Sequence, residues 1–239
     1  MKKVRTWLFI INLFVSFSYT TAQEVKEFKV IDSLLKKNKK PYTIRFGLDI
    51  SKPFMAQLNN EYFGFELVGD IRLLSELYGA IELGNEKKTN QSEQINFTSS
   101  GTFLKIGIDY NMFKNWKGMS NSIYIGLRFA NSFHKQKVNN YEPYQIDHYW
   151  GTEIINQGPE IREQDGLSAT WIEAVAGIKV KMINNFYMGF SLRLNRLIKD
   201  IQPINFDNLF IPGFNKKTDE NVWGAGFNYT ITYSIPVWL

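Results

Sequence analysis

From Trp223 to the end of the chain, the odd positions are Trp223, Ala225, Phe227, Tyr229, Ile231, Tyr233, Ile235 and Val237. The even positions between them are Gly224, Gly226, Asn228, Thr230, Thr232 and Ser234. A period of two belongs to a β-strand, with one face in an apolar medium and the other in a polar one. Seven earlier segments repeat the pattern, at about 42–55, 61–73, 77–87, 101–113, 121–134, 168–182 and 186–198. In the fourth, for example, Leu104, Ile106, Ile108 and Tyr110 oppose Lys105, Gly107, Asp109 and Asn111. These runs exceed the five or six residues of an ordinary soluble strand. They match the roughly nine to eleven that a strand needs to cross a bilayer.

The connections alternate as well. Those after the second, fourth and sixth segments are short, at Leu74–Glu76, Lys114–Ser120 and Ile183–Asn185. Those after the third, fifth and seventh are longer, near 88–100, 135–167 and 199–222, and the first, around Lys52–Asn60, is short. Short periplasmic turns and long outer loops mark outer-membrane barrels. The pattern therefore predicts an all-β fold over 42–239: an eight-stranded antiparallel up-and-down transmembrane β-barrel. A soluble barrel also has eight alternating strands. Here, however, the polar face carries Gly47, Gly64, Gly84, Gly107, Gly126, Gly177, Gly189, Gly224 and Gly226. Such glycines suit strands curling around a narrow lumen and would only weaken a solvated outer face.

The N-terminus supplies the route. Lys2, Lys3 and Arg5 precede the apolar stretch Trp7 to Phe17, and Thr20-Thr21-Ala22 offers a cleavage site. Residues 1–22 read as a signal peptide, residues 23–41 as a charged periplasmic tail, and the expected location is the bacterial outer membrane. The chain has no cysteine, which removes disulfides and thiolate chemistry. Its formal charge of +5 falls to +2 once the leader's Lys2, Lys3 and Arg5 are removed, too mild a charge to indicate nucleic acid.

The polar register carries Arg45, Arg72, Lys105, Arg128, Lys179, Lys181 and Arg193 against Asp49, Glu66, Asp70, Glu82, Asp109 and Glu173. An eight-stranded barrel is just wide enough for its own side chains, so these charges must pair. The balance predicts a lumen plugged by a charge network. A small selective pore, the alternative, would favour one sign.

Catalytic candidates are few. Ser132 and His134 share one face of the fifth strand, and Glu173 stands where it would orient an imidazole, as in a Ser–His–acid set. No nucleophile motif surrounds Ser132. His148 with Asp147 offers too few ligands for a metal site. The expectation is a non-enzymatic protein without cofactor, the alternative a lipid-modifying enzyme. The expected contacts are outer-membrane lipids and lipopolysaccharide and an envelope protein partner; Arg196, on the lipid-facing register at the outer end of the seventh strand, reads as a rim arginine snorkelling to the interface, with a lipopolysaccharide phosphate as the alternative contact. The partner surface is predicted in the outer loops, at Tyr149, Trp150, Phe206, Leu209, Phe210, Ile211 and Phe214, where apolar density of this kind marks a contact. The competing arrangement is a lid in which the loops pack on each other.

Several runs resemble one family: Ser51-Lys52-Pro53, Gly64-Phe65-Glu66-Leu67-Val68-Gly69-Asp70, Leu83-Gly84-Asn85-Glu86, Gly189-Phe190-Ser191-Leu192-Arg193-Leu194-Asn195-Arg196 and Ile211-Pro212-Gly213-Phe214-Asn215. They are similar to small Bacteroidetes-type outer-membrane barrels grouped as a domain of unknown function. The resemblance implies a fold and a location and brings no catalytic residue.

Overall fold

Alternation carries the chain through eight long strands and one short hairpin. In order they are β1 (Tyr42–Asp49), helix α1 (Ser51–Leu58), β2 (Tyr62–Arg72), β3 (Leu77–Gln91), β4 (Ile95–Asn111), β5 (Ser122–Tyr141), β6 (Glu163–Ile183), β7 (Phe186–Asp200), β8 (Phe210–Ile211), β9 (Asn215–Lys216) and β10 (Trp223–Val237). The computed structural model describes residues 42–92, 94–113, 120–142, 154, 155, 158, 161–204, 206–216 and 222–237. The expected signal peptide and tail, and with them His148, Tyr149 and Trp150, lie outside these residues.

The long strands close into an antiparallel barrel in the order β1-β10-β7-β6-β5-β4-β3-β2. Closure joins the first strand to the last, from Tyr42 opposite Val237 to Asp49 opposite Thr230. Both ends of the barrel sequence, with the turns after β2, β4 and β6, lie at one end. The turn after β6 is only Asn184-Asn185, and Asn184 has a φ of 34°, a conformation that asparagine tolerates better than most residues.

The residues pointing outward are apolar. On β5 they run Ile123, Ile125, Leu127 and Phe129, on β7 Phe190, Leu192 and Leu194, and on β4 Leu104, Ile106, Ile108 and Tyr110, all exposed. Towards the loop end Asn85, Thr102, Asn131, Thr170 and Arg196 enter the outward register, while Phe63 and Phe65 on β2 and Phe133 on β5 remain exposed there. On β6 the apolar stretch spans Ile172 to Met182, which for tilted strands matches a hydrocarbon band about 25 Å tall. A belt of this size would be a liability in water and is a surface for lipid. The fold is a transmembrane barrel.

Three boundaries differ from the sequence expectation. The connection near 88–100 is not a long loop: β3 and β4 stay paired through Gln91 opposite Asn96, leaving a turn at 92–94. β5 likewise runs on to Tyr141, and β6 starts at Glu163. Above the lipid band a strand needs no apolar outer face, so pairing continues where alternation lapses. In the opposite sense, β1 stops at Asp49, and 51–58 is the helix α1 rather than strand and loop. β1 therefore covers only the half of β10 from Thr230 onward. Above that level α1 stands between β10 and β2 and packs on both.

Candidate functional site

The interior of the barrel is filled in tiers. Nearest the end of the barrel where β1 starts and β10 stops, Asp70 on β2 accepts from Arg45 Nε on neighbouring β1 at 2.6 Å and from Lys179 Nζ on β6, across the lumen, at 2.5 Å. The Arg45 guanidinium lies over the Tyr78 ring, 4.6 Å from its centroid.

The middle tier is a continuous chain of charge. Arg128 donates through both terminal nitrogens to Asp109, at 2.7 and 3.0 Å, and through Nε to Glu82 at 3.2 Å. Arg193 grips the same Glu82 from the opposite wall at 2.6 and 3.1 Å and reaches Glu173 at 3.0 Å. Lys105 completes the chain on Glu173 at 2.9 Å. Forked arginine–carboxylate contacts are the strong, directional kind, and here they tie opposite walls together. Between the lower and middle tiers lies a cavity of about 30 Å³, room for about one or two waters.

The upper tier is built around α1. Lys52, in its first turn, pairs with Glu86 and stands 3.3 Å from Glu66. Burial pushes the Lys52 ammonium down, but Glu86 and Glu66 outweigh it and hold the group above the usual lysine range. Tyr62 Oη also donates to Glu86, at 2.9 Å. Asn228 bridges Asp49 and Glu66, at 2.8 and 3.2 Å. Asp49 in turn accepts from the Ser51 N–H at 2.9 Å, which fixes the start of the helix.

Above the charges the filling is apolar. Phe103, Ala130, Ala169, Trp171, Leu197, Ile211 and Phe214 form one buried cluster. Two of them come from the loop 201–216, whose hairpin β8–β9 crosses the mouth. This lid is latched all round: Ser99 Oγ on β4 donates to Phe210 O at 2.8 Å, Gln136 Nε2 on β5 to Asp207 O at 3.0 Å, and Asn195 Nδ2 on β7 to Phe214 O at 3.2 Å. The Gly213 N–H donates to Glu86 at 2.8 Å. Phe103 lies flat between two glycines. A Cβ at Gly84 would sit 2.2 Å from its ring, and one at Gly213, whose φ is +82°, 2.5 Å away.

The structure thus brings Arg45, Asp49, Glu66, Asp70, Glu82, Lys105, Asp109, Arg128, Glu173, Lys179 and Arg193 into the closed lumen. Arg72 and Lys181 do not join them. Arg72 turns back to Ser75 O at 2.8 Å, and Lys181 is exposed, because both stand at the terminal rim where the lumen opens to water. Among the loop residues, Phe210, Ile211 and Phe214 are buried, not exposed for a partner, because they roof the lumen on Phe103 and Trp171. Phe206 and Leu209 are half-buried. Lys52 and Glu86 were missed as network members. Their signal was weak: one lay in an expected loop, the other near the expected end of a strand.

The Ser–His–acid set is not assembled. His134 Nε2 faces Asn208 Oδ1 at 3.1 Å, Ser132 Oγ donates to Thr102 O at 3.4 Å, and Glu173 is taken by Trp171, Lys105 and Arg193. Among the described residues no group of three His, Asp or Glu side chains is arranged to hold a metal.

The closed, paired interior defines a class: a filled transmembrane barrel. A family profile matches residues 5–238, and the chain belongs to that family, described as a domain of unknown function (DUF6048). A search among curated proteins finds no match. Among solved structures the chain is similar to Ail, the attachment invasion locus protein of Yersinia pestis. The identity is 11%, covering 82% of this chain and 99% of that one, with a TM-score of 0.39. The architecture rests on the strand pairing described above and not on that likeness.

Proposed function

We propose that this protein is a non-enzymatic barrel of the outer membrane that serves as a structural or accessory subunit and binds an envelope partner at its loop end. The observation that carries this reading is the use to which the polar side chains of the interior are put. Glu82, Glu173, Arg128 and Arg193 neutralise one another across the lumen, which favours a plug over an ion path. His134, Ser132 and Glu173 are each engaged elsewhere. Activity then belongs to the outside of the loop end.

The lid has withdrawn Phe210, Ile211 and Phe214 from that surface. Helix α1 presents another: Phe54 and Leu58, one turn apart, are 66% and 73% exposed. Residues spaced by four share a helix face, so the pair forms one apolar ridge. Anchors of this type carry most of the energy of a contact.

The test is co-purification of the protein from its own envelope in mild detergent. Phe54→Asp with Leu58→Asp is expected to release a stoichiometric partner and to leave the barrel's heat-dependent gel shift unchanged. A wild-type protein that purifies alone, or a double variant that keeps every partner, overturns the reading.

A further inference from the structure

The lipid face is not uniform. Along β6 the outward positions run Ser168, Thr170, Ile172, Ala174, Ala176 and Ile178. The two alanines stand where neighbouring strands carry large side chains. Ala174 lies between Leu127 on β5 and Leu194 on β7, and Ala176 between Ile125 and Leu192. The missing bulk leaves a groove of about 630 Å³ with almost wholly apolar walls. A bilayer by itself asks for no groove.

The head of the groove has a different chemistry. One residue pair above Ala174, Ile172 is flanked by Arg196, which in turn faces Trp223 on β10. The guanidinium lies over the indole, 5.5 Å from the ring centroid, so its stem is held at the upper edge of the apolar band. Lys199 stands opposite Thr170, and Thr170 is bonded to Asn131 at 2.9 Å. Every cation of the closed lumen has a carboxylate partner, as does exposed Lys135. Among the described residues neither Arg196 nor Lys199 has one. Arg196 and Lys199, without a carboxylate partner among the described residues, stand with the Thr170 hydroxyl and the Asn131 amide above the groove, one outward residue, Ile172, beyond its last wall residue on β6.

The geometry points to a binding site for a phosphate-bearing acyl glycolipid of the outer leaflet, the phosphate on Arg196 and Lys199 and one acyl chain in the groove floored by Ala174 and Ala176. It rests on the reading of the chain as an outer-membrane barrel, and its orientation follows from the loop end facing outward. Charge complementarity selects a phosphorylated head over a neutral one. The sugar is served by Thr170, whose hydroxyl accepts from Asn131 Nδ2 and keeps its own proton to donate, a hydrogen bond that a bare phosphate does not need. A non-specifically snorkelling arginine requires neither the alanines nor Lys199.

The experiment is native mass spectrometry of the full-length protein released from detergent micelles after incubation with lipid A, dephosphorylated lipid A or phosphatidylglycerol. Three variants are compared: Arg196→Gln with Lys199→Gln, Ala174→Leu with Ala176→Leu, and Lys87→Gln, an outward cation away from the groove. Lipid A is expected to stay on the wild type and on the Lys87 variant. The cation variant is expected to lose about thirtyfold in affinity, equivalent to about 1 kcal/mol for each cation at a lipid surface. The groove-filling variant should lose retention of both forms of lipid A. Equal retention by wild type and variants, retention indifferent to phosphate, or a preference for phosphatidylglycerol overturns the proposal. So does a wild-type dimer that the alanine substitutions abolish, since the occupant would then be a second copy. Should the groove-filling variant fail to fold, the cation variant decides alone. Membrane fractionation of the native protein reports separately on the location, so that failure of either can be told apart.

Discussion

The lumen and its mouth are filled by opposite means. In the lumen, arginine and lysine from one wall meet carboxylates from another, and six cations are locked among seven anions. At the mouth, Phe103, Trp171, Ile211 and Phe214 close the same tube with apolar packing. The difference follows from what each filling has to hold. The lumen side chains project from a wall that is already closed, and their pairs cross it and fix its cross-section. The lid is a loop with little pairing of its own, and it has to gain its place by burying apolar surface. Buried ion pairs add little net stability, yet they are costly to break one partner at a time. Apolar contacts are lost in proportion to the volume removed.

The largest effect is therefore expected in the lumen. Glu82 is the carboxylate shared by Arg128 and Arg193. Glu82→Ala takes from two buried guanidiniums the carboxylate they share, leaving Arg128 with Asp109 alone and Arg193 with Glu173 alone, and is expected to cost about 3–5 kcal/mol. Urea unfolding from lipid vesicles, followed by tryptophan fluorescence, measures it. A loss below about 1 kcal/mol, the scale of a solvated pair, would mean that water reaches the network and that the contrast with the lid is false.

A smaller and more local effect is expected at the lid. Ile211 is fully buried against the mouth, and Ile211→Val removes one methylene, at about 0.5–1.5 kcal/mol. Because the lid opens without unzipping the strands, the loss should appear as faster proteolysis within 201–216, with the urea midpoint of the barrel unmoved. A matching shift of the barrel midpoint would show that lid and wall unfold as one unit.

Much of the wall was legible in the sequence, and the reason is geometric. Parity assigns each strand residue to a face, so Arg128 and Glu82 could be placed in the lumen from their neighbours alone. Parity does not give depth. Arg72 and Lys181 have the lumen parity but stand at the rim, where no partner is needed. Nor does alternation survive above the lipid band, which is why the paired continuation from Lys88 to Gln91 looked like loop. The lid was readable in part. Phe103, Trp171 and Leu197 share the parity of Lys105, Glu173 and Asn195, and large apolar groups on a polar register call for an apolar partner. The loop that supplies Ile211 and Phe214 is that partner. Helix α1 left no such trace: Ser51 to Leu58 is brief, and its buried lysine is unusual for a helix at a barrel mouth.

The last prediction separates the two fillings and expects no effect at all. Ile211→Asp with Phe214→Asp places two carboxylates in the apolar cluster beside Trp171, which should unseat the lid. The lower and middle tiers do not depend on it, since the ties from Glu82 to Arg193 and from Asp70 to Lys179 cross the lumen beneath the mouth. The cavity between those tiers, about 30 Å³, is far smaller than a hydrated ion needs. In planar bilayers the wild type and the unlidded variant should both be silent. A steady current from the variant alone would assign the seal to the lid and reduce the charge network to a lining. A steady current from the wild type would show the paired charges to be mobile enough to conduct, and the barrel would be a pore.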